Sequence, residues 1–336
     1  MALPWLILDI TGSKSSTALV ASSMYLPTLI FGLFAGTLAD KFPRKTVMMT
    51  SDLLRTLVVI LIPIALINGI QSTIIIGIIA FLLSTFGTPF YPARDSLIPI
   101  LVPEKDLSTV NSFISTSGQL SYLMGPIIAG ICVGLVGLTH LFTINAITFL
   151  VSIIFIWFIS VKEPKSNQSN FSYLTEVKSG LSYISANRPI LILIIMTSIN
   201  NLFIMGPAII GIPVFVREIL NEDFTTLAML ESAMAVGMLC GSFIIIKLLK
   251  NLSFVKILFF GIIFDGITYS FLYFTNSTWL AIIILFIHGI GIPLIVVSRT
   301  NLIQKYIPNE FRGRIFSMVN ISVLGTTAIS SMLTGF

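Results

Sequence analysis

Two carboxylates stand inside long apolar runs of this sequence. Glu231 has Leu230, Ala233 and Met234 around it and no cation within a helical turn, and Asp265 sits mid-run between Phe264 and Gly266, also without a local partner. Hydrocarbon surroundings disfavour an ionised carboxyl, so such a group suits reversible binding of a proton or of a positive group on a ligand. Glu231 is the acceptor this reading favours, and Asp265 reads as structural. His288 is a further proton or ligand candidate, although a lone histidine in such a run also serves as a helix-to-helix hydrogen bonder. Asp9, near the end of the first run, reads equally as a gate or as a helix cap. Asp52 and Arg55 lie three apart on one helical face and can pair. Each would cost about 2.5–3.5 kcal/mol alone at a bilayer centre, which makes a structural ion pair the expected role.

Other charges and small residues mark joints. Gly36-Thr37-Leu38-Ala39-Asp40-Lys41-Phe42-Pro43-Arg44-Lys45 links two apolar runs; its glycine allows close helix approach and Asp40 can cap a helix or pair with a cation. Gly125-Pro126-Ile127-Ile128-Ala129-Gly130 lies within a third run. Small residues there permit tight packing and the proline loosens the backbone ladder into a kink. Arg94 and Arg299 lie near the ends of two further runs and read as gating or inter-helix bracing charges. The sequence has no G-x-x-x-x-G-K-[ST] loop, no H-E-x-x-H and no Cys/His cluster, so it offers no nucleotide, metal or cofactor site, and no enzyme is expected. Cys132 and Cys240 lie in apolar runs and read as packing residues.

The elements that carry these residues follow from composition. Of 336 residues, 55% are hydrophobic and only 10% charged, with a mean hydropathy of +1.00. Such a chain cannot clothe a soluble globule in polar groups, and it is far too apolar for disorder. Continuous rather than alternating apolar runs of membrane length predict helices. The runs fall at 1–11, 16–38, 46–68, 73–100, 107–136, 139–161, 189–217, 225–249, 253–274, 278–304 and 314–336. The first is too short to cross the membrane, and the last stops inside an apolar stretch. The expectation is a chain lacking the start of one helix and everything beyond another. Alternate loops hold Lys41, Arg44, Lys45, Lys105, Lys162, Lys165, Lys178, Arg188, Lys247, Lys250, Lys256, Lys305, Arg312 and Arg314, which is 14 of the 19 basic residues. Opposite loops hold only Lys14 and Arg217. This asymmetry places the first set in the cytoplasm and accounts for the net charge of +5 without nucleic acid. Residues 162–188 divide the chain, and their second half carries Phe171, Leu174, Val177, Leu181 and Ile184 at the spacing of an amphipathic interfacial helix.

The two halves align at an offset of 205: Ala93-Arg94-Asp95-Ser96-Leu97-Ile98 matches Ser298-Arg299-Thr300-Asn301-Leu302-Ile303, and Gly32-x-x-x-Gly36 matches Gly237-x-x-x-Gly241. Matched elements share one orientation, which predicts two parallel six-helix repeats related by an axis along the membrane normal, an architecture of transporters.

The loop Gly36-x-Leu-Ala-Asp40-x-x-x-Arg44-Lys45 resembles the signature of the major facilitator superfamily between helices two and three. Leu3-Pro4-Trp5 leading to Asp9, Ser51-Asp52-Leu53-Leu54-Arg55, Pro92-Ala93-Arg94 and Ile307-Pro308-Asn309-Glu310-Phe311-Arg312-Gly313-Arg314 sharpen the resemblance. Together they resemble its drug-antiporter branch, which contains macrolide-efflux permeases and the enterobactin exporter. Gly125, Pro126 and Gly130 are similar to that family's antiporter motif, with Ala129 in place of one glycine. The resemblance implies an all-α, two-bundle membrane fold: helices one to six over 1–161 with helix one partial, a linker over 162–188, and helices seven to eleven over 189–336 with helix twelve missing. It implies a conformational gate at Gly36, Asp40, Arg44 and Lys45, with Asp40 close to Arg312 or Gly313 and with Arg314 among the gating charges. The implied activity is secondary active export of amphipathic small molecules such as macrolides, coupled to protons, by a monomer in the bacterial plasma membrane with no cofactor. Export of a siderophore or lipid-like metabolite, import, lipid flipping and a non-transporting fragment are the rival readings.

Overall fold

The computed structural model describes residues 2–161, 182–248, 252–307 and 309–335. These form, in order, α1 (Ala2–Thr11), α2 (Lys14–Lys41), α3 (Arg44–Ile67), α4 (Thr73–Leu101), α5 (Leu107–Val136), α6 (Leu138–Trp157), α7 (Arg188–Ile219), α8 (Phe224–Leu248), α9 (Phe254–Phe274), α10 (Thr278–Tyr306) and α11 (Asn309–Gly335). There is no strand among the described residues. Nine segments are long and apolar enough to cross a membrane among those residues. The 28-residue α2 is about 42 Å long at about 1.5 Å per residue. The chain is thus an all-α polytopic membrane protein. Expected helix edges agree to within a few residues, and α1 is the ten-residue stub anticipated.

Local chemistry sets the breaks. Ser13, Ser72 and Ser253 accept hydrogen bonds from the amides of Ser16, Ile75 and Lys256 and so cap α2, α4 and α9. Gly137, at φ 84°, ends α5 and turns directly into α6, a left-handed conformation glycine adopts without penalty. α7 is the irregular helix: it passes through two π-helical stretches, Pro207–Gly211 and Phe215–Ile219. Pro207 and Pro213 remove two donors from its ladder, and the Ile212 and Leu220 amides reach back five residues to the Pro207 and Phe215 carbonyls.

The described chain divides into two compact units. One comprises Met1–Leu120, Cys132–Phe171 and Ser331–Phe336; the other comprises Ser121–Ile131 and Ser172–Ser330. The first is centred on Leu6, Ile7, Val20, Val59, Ile62 and Ile76. The second is centred on Leu193, Leu258, Leu302, Ile303, Ile315 and Val319. The predicted amphipathic helix falls mostly on 162–181, outside the described residues; residues 182–186 are helical and Ile184 is buried.

In the second unit α8 and α10 meet backbone to backbone. A Cβ on Gly237 would collide with the Phe286 carbonyl, one on Gly241 with the Ile290 carbonyl, and one on Gly289 with the Met234 carbonyl. Only glycine permits this approach. The repeat mate Gly32 meets nothing closer than the Thr28 side chain of its own helix, at 3.7 Å, so it packs differently from Gly237.

Candidate functional site

The second unit holds a buried polar cluster contributed by three helices. Asp265 and Thr268 lie one turn apart on α9, both buried, and His288 faces them from α10 at 2% exposure. The His288 Nδ1 is 3.5 Å from Asp265 Oδ1 and 3.1 Å from the Thr268 hydroxyl. Asn200 on α7 donates its side-chain amide to Asp265 Oδ2 at 3.2 Å. The Tyr269 ring meets the His288 ring edge-on, with centroids 5.2 Å apart. Glu231 is half-buried on α8, the helix packed against α10. The sequence reading gives Asp265 a structural role and treats His288 separately; the structure brings them together and adds Asn200, Thr268 and Tyr269. The adjacent amides Asn200-Asn201 in an apolar run were the available signal for the α7 contribution.

A second polar seam joins α7 to α11 within the same unit. Ser198 shares a hydrogen bond with Ser322. Asn201 donates to the Val323 carbonyl at 3.1 Å and to the Thr327 hydroxyl at 3.3 Å. The Ser330 hydroxyl accepts from the Gly206 amide at 2.6 Å and donates to the Leu202 carbonyl at 2.5 Å. Those are the two backbone groups that pair across a regular helical turn, and the bridge sits immediately before the first π-helical stretch.

In the first unit Arg55 Nη1 binds Asp52 Oδ1 at 3.2 Å, the carboxylate being 1% exposed. The guanidinium lies 3.9 Å from the Phe149 ring centroid on α6. A Cβ on Gly87 of α4 would come within 3.3 Å of Arg55 Nε, so a residue without a side chain makes room for the arginine. Lys45, placed in the gate motif from sequence, donates its ammonium to the Trp157 and Ile159 carbonyls at 2.7 and 2.8 Å. It therefore satisfies orphan carbonyls at the C-terminal end of α6, where a cation also complements the helix dipole. An apolar cavity of about 430 Å³ opens between α2, α3 and α4, lined among others by Phe31, Leu38, Leu54 and Phe86, with the Thr50 and Thr88 hydroxyls.

The remaining predicted residues are scattered. Asp9 is exposed near the end of α1. Arg44 is half-buried at the start of α3. Gly36 lies in α2; the side chains of Asp40, Arg312 and Arg314 are not described, so neither is the expected approach of Asp40 to Arg312, Gly313 or the start of α11. The partners of Arg94 among the described residues, Asp95 at 2.7 Å and the Tyr91 ring at 4.9 Å, are on its own helix. Its repeat mate Arg299 is half-buried and has no such partner among the described residues. Nothing among the described residues lies within 4 Å of a Cβ built on Gly125. Gly130 does meet a neighbour: its Cβ would stand 2.8 Å from that of Ala228 on α8. Cys132 and Cys240 are free thiols.

Residues 1–331 match the Major Facilitator Superfamily. Macrolide efflux protein A of Streptococcus pyogenes is 22% identical over 324 residues, covering 95% of this chain and 79% of that one. Multidrug efflux pump Tap of Mycobacterium tuberculosis is 31% identical over 159 residues, 46% of this chain and 38% of that one. Among solved structures, a bacterial homologue of the iron transporter ferroportin in an inward-facing state superposes with a TM-score of 0.80 at 17% identity, covering 99% of this chain and 86% of that one. The nucleoside transporter NupG does so with a TM-score of 0.79 at 12% identity, covering 99% and 84%. The helical order, the membrane-length spans and a family match over nearly its whole length agree: the chain belongs to the Major Facilitator Superfamily.

Proposed function

We propose that this chain is a proton-coupled exporter of amphipathic, macrolide-like small molecules in the bacterial cytoplasmic membrane, and not an enzyme. The observation that carries the reading is the buried Asp265 and His288 on α9 and α10, with Glu231 half-buried on α8, in a family whose efflux relatives span most of this chain's length. Ionisable side chains are expensive in hydrocarbon and persist there chiefly where they bind ions, protons or ligands.

In this reading the two halves, 1–161 and 189–336, rock about the linker over 162–188, and the loops rich in Lys and Arg face the cytoplasm. Glu231 accepts a proton or the basic group of the substrate, and binding of one shifts the balance between inward-open and outward-open states. Gly125, Pro126 and Gly130 let α5 flex during that movement, and the loop at Gly36, Asp40, Arg44 and Lys45 holds one state closed. The working unit is a monomer in lipid, with the substrate and protons as its only small-molecule partners.

The test is erythromycin accumulation in bacteria expressing the chain, with and without a protonophore. Lowered accumulation that the protonophore abolishes supports the proposal. Raised accumulation would replace export by import, and lowered accumulation indifferent to the protonophore would remove proton coupling.

A further inference from the structure

We infer that Asp265 and His288 together hold the coupling proton, as a single unit tied to α7 through Asn200. This rests on the proton-coupled reading above and names its proton site, which that reading leaves to Glu231.

The hydrogen-bond arithmetic carries the inference. Thr268 has one hydroxyl proton, and it is directed to the Phe264 carbonyl at 2.7 Å. Towards His288 Nδ1, at 3.1 Å, the same oxygen therefore accepts, so Nδ1 carries a hydrogen. That N–H also faces Asp265 Oδ1 at 3.5 Å, and Oδ1 is buried with no hydrogen bond, whereas Oδ2 is occupied by the Asn200 amide. The pair thus presents one open carboxylate acceptor beside one imidazole.

With Asp265 ionised and His288 neutral, the pair carries one buried negative charge. Uptake of one proton, on His288 or on Asp265, cancels it, and release restores it. Removing an uncompensated buried charge favours uptake of one proton and no more, so the two residues titrate as a unit. Protonated, His288 becomes a cation and its Nδ1–H is drawn from the Thr268 hydroxyl towards Asp265, which tightens the link between α9 and α10. Besides its own two members, the titratable group facing the pair is Tyr269 from α9; Glu231 lies on α8, which packs against α10, and α7 contributes the neutral Asn200.

The test uses the full chain in proteoliposomes with a pH-sensitive dye inside and radiolabelled erythromycin as substrate. Wild-type protein is expected to accumulate erythromycin against its gradient while the dye reports opposing proton movement. Asp265→Asn and His288→Gln are expected to lose uphill accumulation by up to roughly fiftyfold, the ratio that one charge crossing about 100 mV sustains. Both are expected to retain erythromycin counterflow, which needs the carrier to open and close but needs no proton. Variants that still move protons and concentrate substrate would overturn the assignment while leaving the coupled exporter intact. Loss of counterflow in parallel with uphill transport in both variants would reduce the pair to a packing element. Wild-type transport with no proton movement would remove the coupled reading itself.

Discussion

The hydroxyl of Ser330 on α11 bridges the Gly206 amide and the Leu202 carbonyl of α7, so a side chain from one helix is built into the backbone ladder of another. Directly beyond it α7 loses regular α-helical geometry. Pro207 contributes no amide there, and the bridge satisfies polar groups that hydrocarbon would leave costly.

Removing that hydroxyl should therefore be felt at α7. Ser330→Ala is expected to cost about 1–3 kcal/mol, the range for a buried backbone group deprived of its partner. The measurement is thermal unfolding in detergent, with amide exchange expected to rise selectively around residues 202–211. Unchanged stability with unchanged exchange would assign the α7 break to its prolines alone.

The glycines separate packing from function. Gly237→Val is expected to abolish recovery of monodisperse protein, because the added atoms meet the Phe286 backbone, which cannot yield. Gly125→Ala meets nothing within 4 Å and exchanges a poor helix former for the best one, so stability should hold or rise by up to about 1 kcal/mol. Chromatographic profile and melting temperature check both. A stable Gly125→Ala protein with slowed export would locate a need for backbone freedom in α5 that packing does not impose.

The Asp52–Arg55 pair gives a third contrast. Arg55→Leu leaves a carboxylate at 1% exposure without its cation and is expected to cost about 3–5 kcal/mol. Asp52→Asn removes the buried charge itself and should cost less. The double variant should recover part of the loss, and a thermal-unfolding cycle measures the coupling. Equal, additive losses would mean that the ion pair is incidental to the packing of Arg55 on Phe149.

Much of the fold is readable in one dimension because a membrane span is a compositional signal. The run expected at 46–68 corresponds to Arg44–Ile67, and that at 107–136 to Leu107–Val136. The Asp52–Arg55 contact is equally local, one turn along a helix. The Asp265–His288 unit is not: its members come from α7, α9 and α10, and nothing in the spacing of Asn200, Asp265 and His288 says that these helices present them to one point. The π-helical stretches of α7 escape for a related reason. Proline predicts a weak ladder but not which neighbour mends it, and Ser330 lies 124 residues from Gly206. The local pairing of Arg94 is legible too: Asp95 stands beside it, and the matched position after Arg299 is Thr300, which has no acidic group.

Lys45 belongs to the group of basic residues that, in the proposed topology, face the cytoplasm, yet its ammonium is bound to two carbonyls at the end of α6. Efforts to invert insertion by relocating positive residues across the bilayer would, at this position, strip a helix terminus of its ligand as well. Topology engineering of this loop is cleaner through Lys41, whose side chain is exposed, with Lys45 left in place as an anchor.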